Sequence, residues 1–513
     1  MRYYWVIVAS VLLLTCARIA TTYLVFAQTL DEPAHVAAGH EWLTKGTYHL
    51  DFEHPPLARM LFALPFLGQR AQQTTDEYAY GDDLYAHDDR YIHNVAWPRR
   101  LNLLFVGIAA LALAAVARRL FGDAVSIVAL LLFVSLPPVL AHGGLATTDM
   151  AGVAGFAVAL DALLRWSDEP SWRRTMLLGA AIAFGVCCKY SFIFFFPPAI
   201  VIVLIVRRRL ALGRLVVAAV VASVVTWGVF GFRFAAMDTN PEAASMVRTV
   251  GLPEWVIHTR VPAPDFFMGL LAVHVHNHAG HPAYLFGHVS HTGWWYYFPV
   301  VLAVKTPIPF LLLSACGAWL LFRRRHAAAF LILIAAAILA ITMTARINIG
   351  VRHILPIYLP LSIVAAYAVV ELWRINPPAR TFVAAALGWL LLSSALAHPD
   401  YIPWMNAFAG KHPERVLLDS NFDWGQDIWR LATICRKRGI TTLGYAVMTN
   451  VRPSSVGIAG GAPLNEHVPS HGWIVLSEHN LHFALARNPQ AYRWLDRYPF
   501  ERVGKTLRLY HLP

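Results

Sequence analysis

The chain has 513 residues, 57% of them hydrophobic and only 14% charged, with a mean hydropathy of +0.50. So few charges cannot clothe a water-facing exterior of this size, so most of the outer surface must meet lipid. The formal net charge of +12 would suggest nucleic acid in a soluble protein. Here the basic residues fall between apolar runs, where they act as topology signals and headgroup contacts, and no nucleic-acid partner is expected.

Residues 1–27 look at first like a signal peptide. The apolar run is long and no small-residue cleavage site follows, so it reads as an uncleaved first span. Apolar runs able to cross about 30 Å of hydrocarbon are expected near 3–27, 97–117, 122–141, 149–165, 175–188, 190–206, 214–232, 297–322, 327–345, 353–373 and 381–397. Alternate linkers are short and basic: Arg118-Arg119, Arg165 with Arg173-Arg174, Arg207-Arg208-Arg209 with Arg214, Arg323-Arg324-Arg325, and Arg374 with Arg380. The positive-inside rule places these in the cytoplasm, with the N-terminus inside and residues 398–513 outside. The expected fold is therefore an α-helical polytopic protein of the cell inner membrane, with about eleven transmembrane helices.

Residues 1–397 make up its membrane part. The outer loops 28–96 and 233–296 are too long to be turns. In the first, Leu57 to Leu67 is apolar but too short to span, and predicts a helix lying in the outer interface. The tail, 398–513, mixes strand-like patches such as Trp473-Ile474-Val475-Leu476 with helical ones, and predicts a small α/β domain in the periplasm. Five cysteines are present, with no zinc-ribbon spacing and no disulfide framework.

Acids recur on the outer side. Asp31-Glu32-Pro33 follows span one, Phe52-Glu53-His54-Pro55-Pro56 precedes the interfacial helix, and Thr147-Thr148-Asp149 opens span four. Each has a plain reading: a solvated helix end, a proline at the first helical position, a helix cap. Carboxylates at membrane helix ends are costly unless used, and three outer loops bring one to the same face.

In order and sidedness, these motifs resemble those of the GT-C glycosyltransferases, in particular the protein O-mannosyltransferase and aminoarabinose-transferase group. Cys188-Lys189-Tyr190, Gly293-Trp294-Trp295-Tyr296-Tyr297-Phe298-Pro299 and Lys305-Thr306-Pro307 add to the likeness, which covers roughly residues 1–373. The tail, with Asp419-Ser420-Asn421-Phe422-Asp423-Trp424-Gly425-Gln426-Asp427, looks like that of bacterial members distinct from both named enzymes. The resemblance implies a sugar donor on a polyprenyl phosphate, entering from the bilayer, with Asp31 as catalytic base, Glu32 as the other half of the pair, and Asp149 as a second active-site acid. The acceptor could be a protein, a lipid or a glycan.

Inverting transfer needs a base for the acceptor and donors for the departing phosphate. Lys189, Arg346, Asn348, Arg352 and His353 lie at predicted outer helix ends, and with Glu53 and His54 they are the expected substrate-binding set; snorkelling and loop solvation are the plain alternatives. A divalent metal is the only cofactor raised. His274, His276 and His278 alternate, as on one face of a strand, and the resemblance pairs a metal with Glu53 and one of these histidines. The spacing matches no standard zinc pattern, and a hydrated loop is the alternative. Asp423 and Asp427 would stand one turn apart on a helix. The competing functions are a transporter, which would carry mid-span ionisable residues and paired halves, and an envelope-assembly protein without transferase activity.

Overall fold

The computed structural model describes residues 3–72, 74–208, 211–239 and 242–513; Arg209 of the third basic linker lies outside them. Helix α1 (Tyr4–Ala20) leads into the first long loop, which carries α2 (Glu32–Lys45), α3 (Pro56–Ala63) and α4 (Glu77–Tyr85). There follow α5 (Tyr91–Phe121), α6 (Asp123–Val134), α7 (Pro137–Gly143), α8 (Thr148–Asp168), α9 (Trp172–Cys188), α10 (Phe192–Arg207) and α11 (Leu212–Val229). The second long loop holds α12 (Ala243–Thr249), α13 (Trp255–His258), α14 (Pro264–Ala279) and two short antiparallel pairs, β1 (Phe234–Ala235) with β2 (Val261–Pro262) and β3 (Ala283–Leu285) with β4 (His288–Ser290). After it come α15 (Tyr297–Lys305), α16 (Ile308–Arg323), α17 (Phe330–Thr342), α18 (Tyr358–Ile375) and α19 (Pro377–Leu396).

A helix stands at every predicted span. Among the described residues five are long and apolar enough to cross a membrane, and seven if each of two bent pairs counts as one span. The first bend, 68° between α6 and α7, falls where Pro137 begins α7 and pushes Leu136 into extended backbone. The second, 111° between α15 and α16, has extended Thr306 before Pro307. Proline thus breaks two runs that hydropathy alone reads as continuous. The stretch expected to lie in the interface is helical: it forms α3, with Pro56 at its first position, continuing as a 3-10 turn through Phe66.

The basic linkers gather at one end of the bundle. Arg119 and Arg207 both pair with Asp168, Arg118 lies 4.3 Å from the Tyr4 ring, and Arg324 and Arg374 share Glu371. Asp161 is tied to Arg165 one turn on. Helices α8 and α9 approach closely through glycine: a Cβ on Gly155 would stand 2.6 Å from the Gly185 Cα.

Helix α19 ends at Leu396, and the buried core continues beyond it. Tyr401, Ile402, Leu417 and Trp424 belong to the same buried cluster as the membrane helices. One buried ammonium secures this join: Lys305 Nζ, at the end of α15, donates to the carbonyls of Ile402, Trp404 and Asn421 at 2.5–2.8 Å. The tail then forms α20 (Ile428–Arg438), β5 (Gly444–Ala446), β6 (Gly472–Ser477), α21 (Glu478–Arg487), β7 (Glu501–Val503) and β8 (Leu507–Leu512). Its sheet has the order β5-β6-β8-β7, with only β5 and β6 parallel. The apolar patch at 473–476 is the middle of β6. Asp427 precedes α20 and Asp423 lies outside it, so the two do not share a helix.

Replacing Lys305 by methionine leaves three buried carbonyls without their donor. The expected cost is about 2–3 kcal/mol, read as a lower thermal midpoint in detergent and a tail newly open to protease.

Candidate active site

Asp31 sits just before α2 and forms an ion pair with Arg352, in a 3-10 turn (Val351–Ile357) leading into α18. On its other side the Arg352 guanidinium lies 4.6 Å from the centre of the Trp424 ring. Electrostatically Arg352 also feels Asp149 and Asp419. The first loop, the turn before α18 and the tail therefore meet at one side chain.

Asp149, in the first turn of α8, pairs with Lys189 and accepts from Thr147 Oγ1 at 2.8 Å, with His142 Nδ1 at 3.4 Å. Lys189 follows the last residue of α9 in extended backbone. Its stem crosses α8 at Gly152, where a Cβ would come within 3.0 Å of it. A narrow cleft with about 10 Å³ of free volume lies here, lined by Asp149, Lys189 and Arg352 and by the apolar rings of Phe156, Phe192, Phe195 and Pro356. It is charged where the helices end and aromatic along α8 and α10.

A neutral histidine pair backs the site. His54 Nδ1 meets Thr148 Oγ1 at 3.3 Å, and its ring lies edge-on to His35 at 5.0 Å. Arg59 Nε donates to His35 Nδ1 at 3.1 Å, while its guanidinium pairs with Asp51 and donates to Tyr48 Oη. Burial, and after it the Arg59 charge, hold both imidazoles well below the usual range. Asp51, His35 and Arg59 carry no role in the sequence motifs, and His142 and Trp424 stand there only as members of longer ones. Arg59 has a signal in the sequence, a lone charge within an apolar stretch; Trp424 is marked by the Asp419–Asp427 motif but not by any sign of its partner.

Some expected residues serve elsewhere. Glu32, expected as half of a catalytic pair, is fully buried: its carboxylate accepts from Arg99 Nε and Nη2 at 2.8 and 2.6 Å, Thr29 N at 2.7 Å and Ala146 N at 2.8 Å. All its acceptor capacity goes to joining α2, α5 and the loop before α8. Arg346 faces outward and donates to the His278 carbonyl, closing the end of α14. Asn348 is buried, accepting from Trp294 N at 2.7 Å and donating to the Ala345 carbonyl. His353 does not line the cleft; its ring lies 6.2 Å from Phe298 and its Nε2 is buried without a hydrogen bond.

The three alternating histidines lie on α14, not on a strand. Two residues turn a helix by about 200°, so His274 and His278 face solvent while His276 turns inward. There His276 Nδ1 meets Glu53 Oε2 at 2.9 Å and its Nε2 meets His281 Nδ1 at 3.2 Å. The Glu53 hydrogen bond raises His276, whereas burial lowers His281. Among the described residues no group of three or more His, Cys, Asp or Glu side chains is arranged to hold a metal ion. The residues as placed do not fit the metal.

Residues 92–230 match the family described as Dolichyl-phosphate-mannose-protein mannosyltransferase. No curated protein matches the chain. Among solved structures, ArnT from Cupriavidus metallidurans bound to undecaprenyl phosphate aligns with a TM-score of 0.52 at 14% identity, over 99% of this chain and 98% of that one. The archaeal oligosaccharyltransferase AglB from Archaeoglobus fulgidus, in complex with an inhibitory peptide and a dolichol-phosphate, gives 0.49 at 13% identity, over 99% of this chain and 74% of that one. At 14% identity the likeness to ArnT is one of fold, and it runs the whole length of both chains.

Proposed function

We propose that this chain, a glycosyltransferase of the GT-C superfamily similar to ArnT and the protein mannosyltransferases, moves a sugar from a polyprenyl-phosphate donor to an acceptor on the periplasmic face of the inner membrane, inverting the anomeric carbon. The acceptor is a hydroxyl or amine of a protein, lipid or glycan. The observation that carries this reading is the cleft in which Lys189 and Arg352 meet the phenylalanines of α8 and α10. A lipid phosphate has the same two-part chemistry, an anionic head on an apolar tail. ArnT, whose fold this chain shares, holds undecaprenyl phosphate in its structure.

The residues then divide the reaction as follows. Lys189 and Arg352 bind the phosphate and stabilise the charge that grows on it as the glycosidic C–O bond breaks. Asp31 takes the acceptor proton as the new bond forms on the opposite face of the sugar. Asp149 fixes Lys189 at the cleft wall. In the resting arrangement Asp31 is occupied by Arg352. A donor phosphate is the stronger partner for that guanidinium, and its arrival releases the carboxylate for work.

The decisive experiment incubates the purified chain in nanodiscs with a radiolabelled polyprenyl-phosphate sugar and follows release of polyprenyl phosphate. Transport of a solute across sealed vesicles with the donor left intact would instead favour a transporter, and inertness in both assays an assembly protein. Lys189→Gln keeps a hydrogen bond to Asp149 but removes the charge. Its kcat/KM for the donor is expected to fall about 10- to 100-fold, the worth of one charge-assisted hydrogen bond; an unchanged value removes Lys189 from the phosphate site.

A further inference from the structure

The segment 419–427 lies far along the chain from the acids of the first loop, yet it touches Arg352 and the backbone just before Asp31. On the acid side, Leu30 N donates to the Trp424 carbonyl at 3.1 Å and Ala27 N to the Gln426 carbonyl at 2.9 Å. These bonds fix the backbone immediately before Asp31. On the arginine side, Val351 N donates to Asn421 Oδ1 at 2.9 Å and Ser420 Oγ donates to the Ile349 carbonyl at 2.6 Å. These fix the backbone immediately before Arg352. A Cβ on Gly350 would stand 2.1 Å from Ser420 Oγ, so this approach needs a residue without one.

Within the segment one side chain reaches the guanidinium itself. Trp424 is 1% exposed, and the Arg352 carbon stands 4.6 Å from its ring centre. Its orientation is set from behind, since Trp424 N donates to Gln426 Oε1 at 2.8 Å and Gln426 Nε2 donates to the Phe422 carbonyl. The two supports of Arg352 differ in kind. Asp31 is an anion and competes with any incoming phosphate. The indole face attracts the cation without offering a charge that a phosphate must displace.

We propose that Trp424 is a positioning residue for phosphate binding: its ring holds Arg352 at the cleft when a lipid phosphate takes the place of Asp31. The inference rests on the donor-binding reading above. It assigns to the tail a part in the membrane cleft, and to its Asp419–Asp427 motif the task of presenting the two charged partners to each other. An indole lost from under the guanidinium weakens binding of the lipid phosphate, whereas loss of the competing carboxylate does not.

The test measures binding of undecaprenyl phosphate to the full chain in nanodiscs, by thermal shift and by titration. Trp424→Leu, which fills space without a ring face, is expected to bind about tenfold more weakly than the wild type. Trp424→Phe, which keeps a ring face, stays within about threefold, and Asp31→Asn binds at least as tightly as wild type. Wild-type affinity in Trp424→Leu overturns the proposal, and so does a tenfold loss in a folded Trp424→Phe, which covers the case in which the leucine variant fails to fold. Tighter binding by Asp31→Asn with weaker binding by Trp424→Leu is a pattern that general loosening of the fold does not give. If the wild-type chain itself ignores undecaprenyl phosphate, the functional reading falls and this inference with it; a binding wild type with an indifferent Trp424 overturns this inference alone.

Discussion

Asp31→Asn is expected to lower sugar transfer by about 10²- to 10⁴-fold, the range over which a general base contributes, while the chain still inserts and unfolds near its wild-type temperature. The side chain is accessible enough to be changed at modest structural cost, with 21% of its surface exposed. Its neighbour Arg352 keeps a second support in Trp424, so the asparagine variant does not strand an unheld guanidinium. The amide cannot accept the acceptor's proton, and kcat falls while donor binding persists. Single-turnover measurement on preloaded enzyme separates the two. Full transfer in the variant would sink the assignment of the base.

The second large effect concerns stability. Arg99→Met leaves the Glu32 carboxylate fully buried, with two backbone amides and a hydroxyl for company and no countercharge. Breaking a buried pair from one side costs about 3–5 kcal/mol, because the remaining ion cannot return to water. Against a typical total stability of about 5–15 kcal/mol, the variant should fail to accumulate as a monodisperse folded protein. Glu32→Gln combined with Arg99→Met removes the orphaned charge and should recover much of the loss. Fluorescence-detected gel filtration and thermal scanning read both. An Arg99→Met midpoint equal to wild type would show that the pair contributes nothing to the fold.

These two acids are adjacent in sequence and opposite in use, and the difference was not legible there. The partner of Glu32 lies 67 residues on and that of Asp31 321 residues on, so no local pattern distinguishes them. Span positions, by contrast, were readable because an apolar run declares its preference for lipid within its own length. The bends at Pro137 and Pro307 had their signal in the prolines, which a hydropathy window averages away. The three histidines are a case of period confused with conformation. Spacing by two suits a strand, but Pro264 followed by Phe266-Phe267-Met268 and Leu270-Leu271-Ala272 is the start of a helix. Of the expected substrate set, Lys189 and Arg352 line the cleft, while Arg346 and Asn348 bond to backbone groups, among them His278 and Trp294 of the folded second loop.

Helix α19 ends at Leu396, and the segment that grips Leu30 and Val351 comes only after it. During synthesis the acids and cations of the membrane part are therefore made and inserted well before the strand of chain that aligns them. Under the proposed topology that strand must also cross the bilayer before it can dock. A nascent chain that has reached Arg352 but not yet Asp427 carries every charged group of the cleft and lacks the segment that aligns them; under the proposed function it is expected to be silent toward donor lipid. Under the proposed function and topology, activity is then expected to begin with export of the tail rather than with completion of the helical bundle.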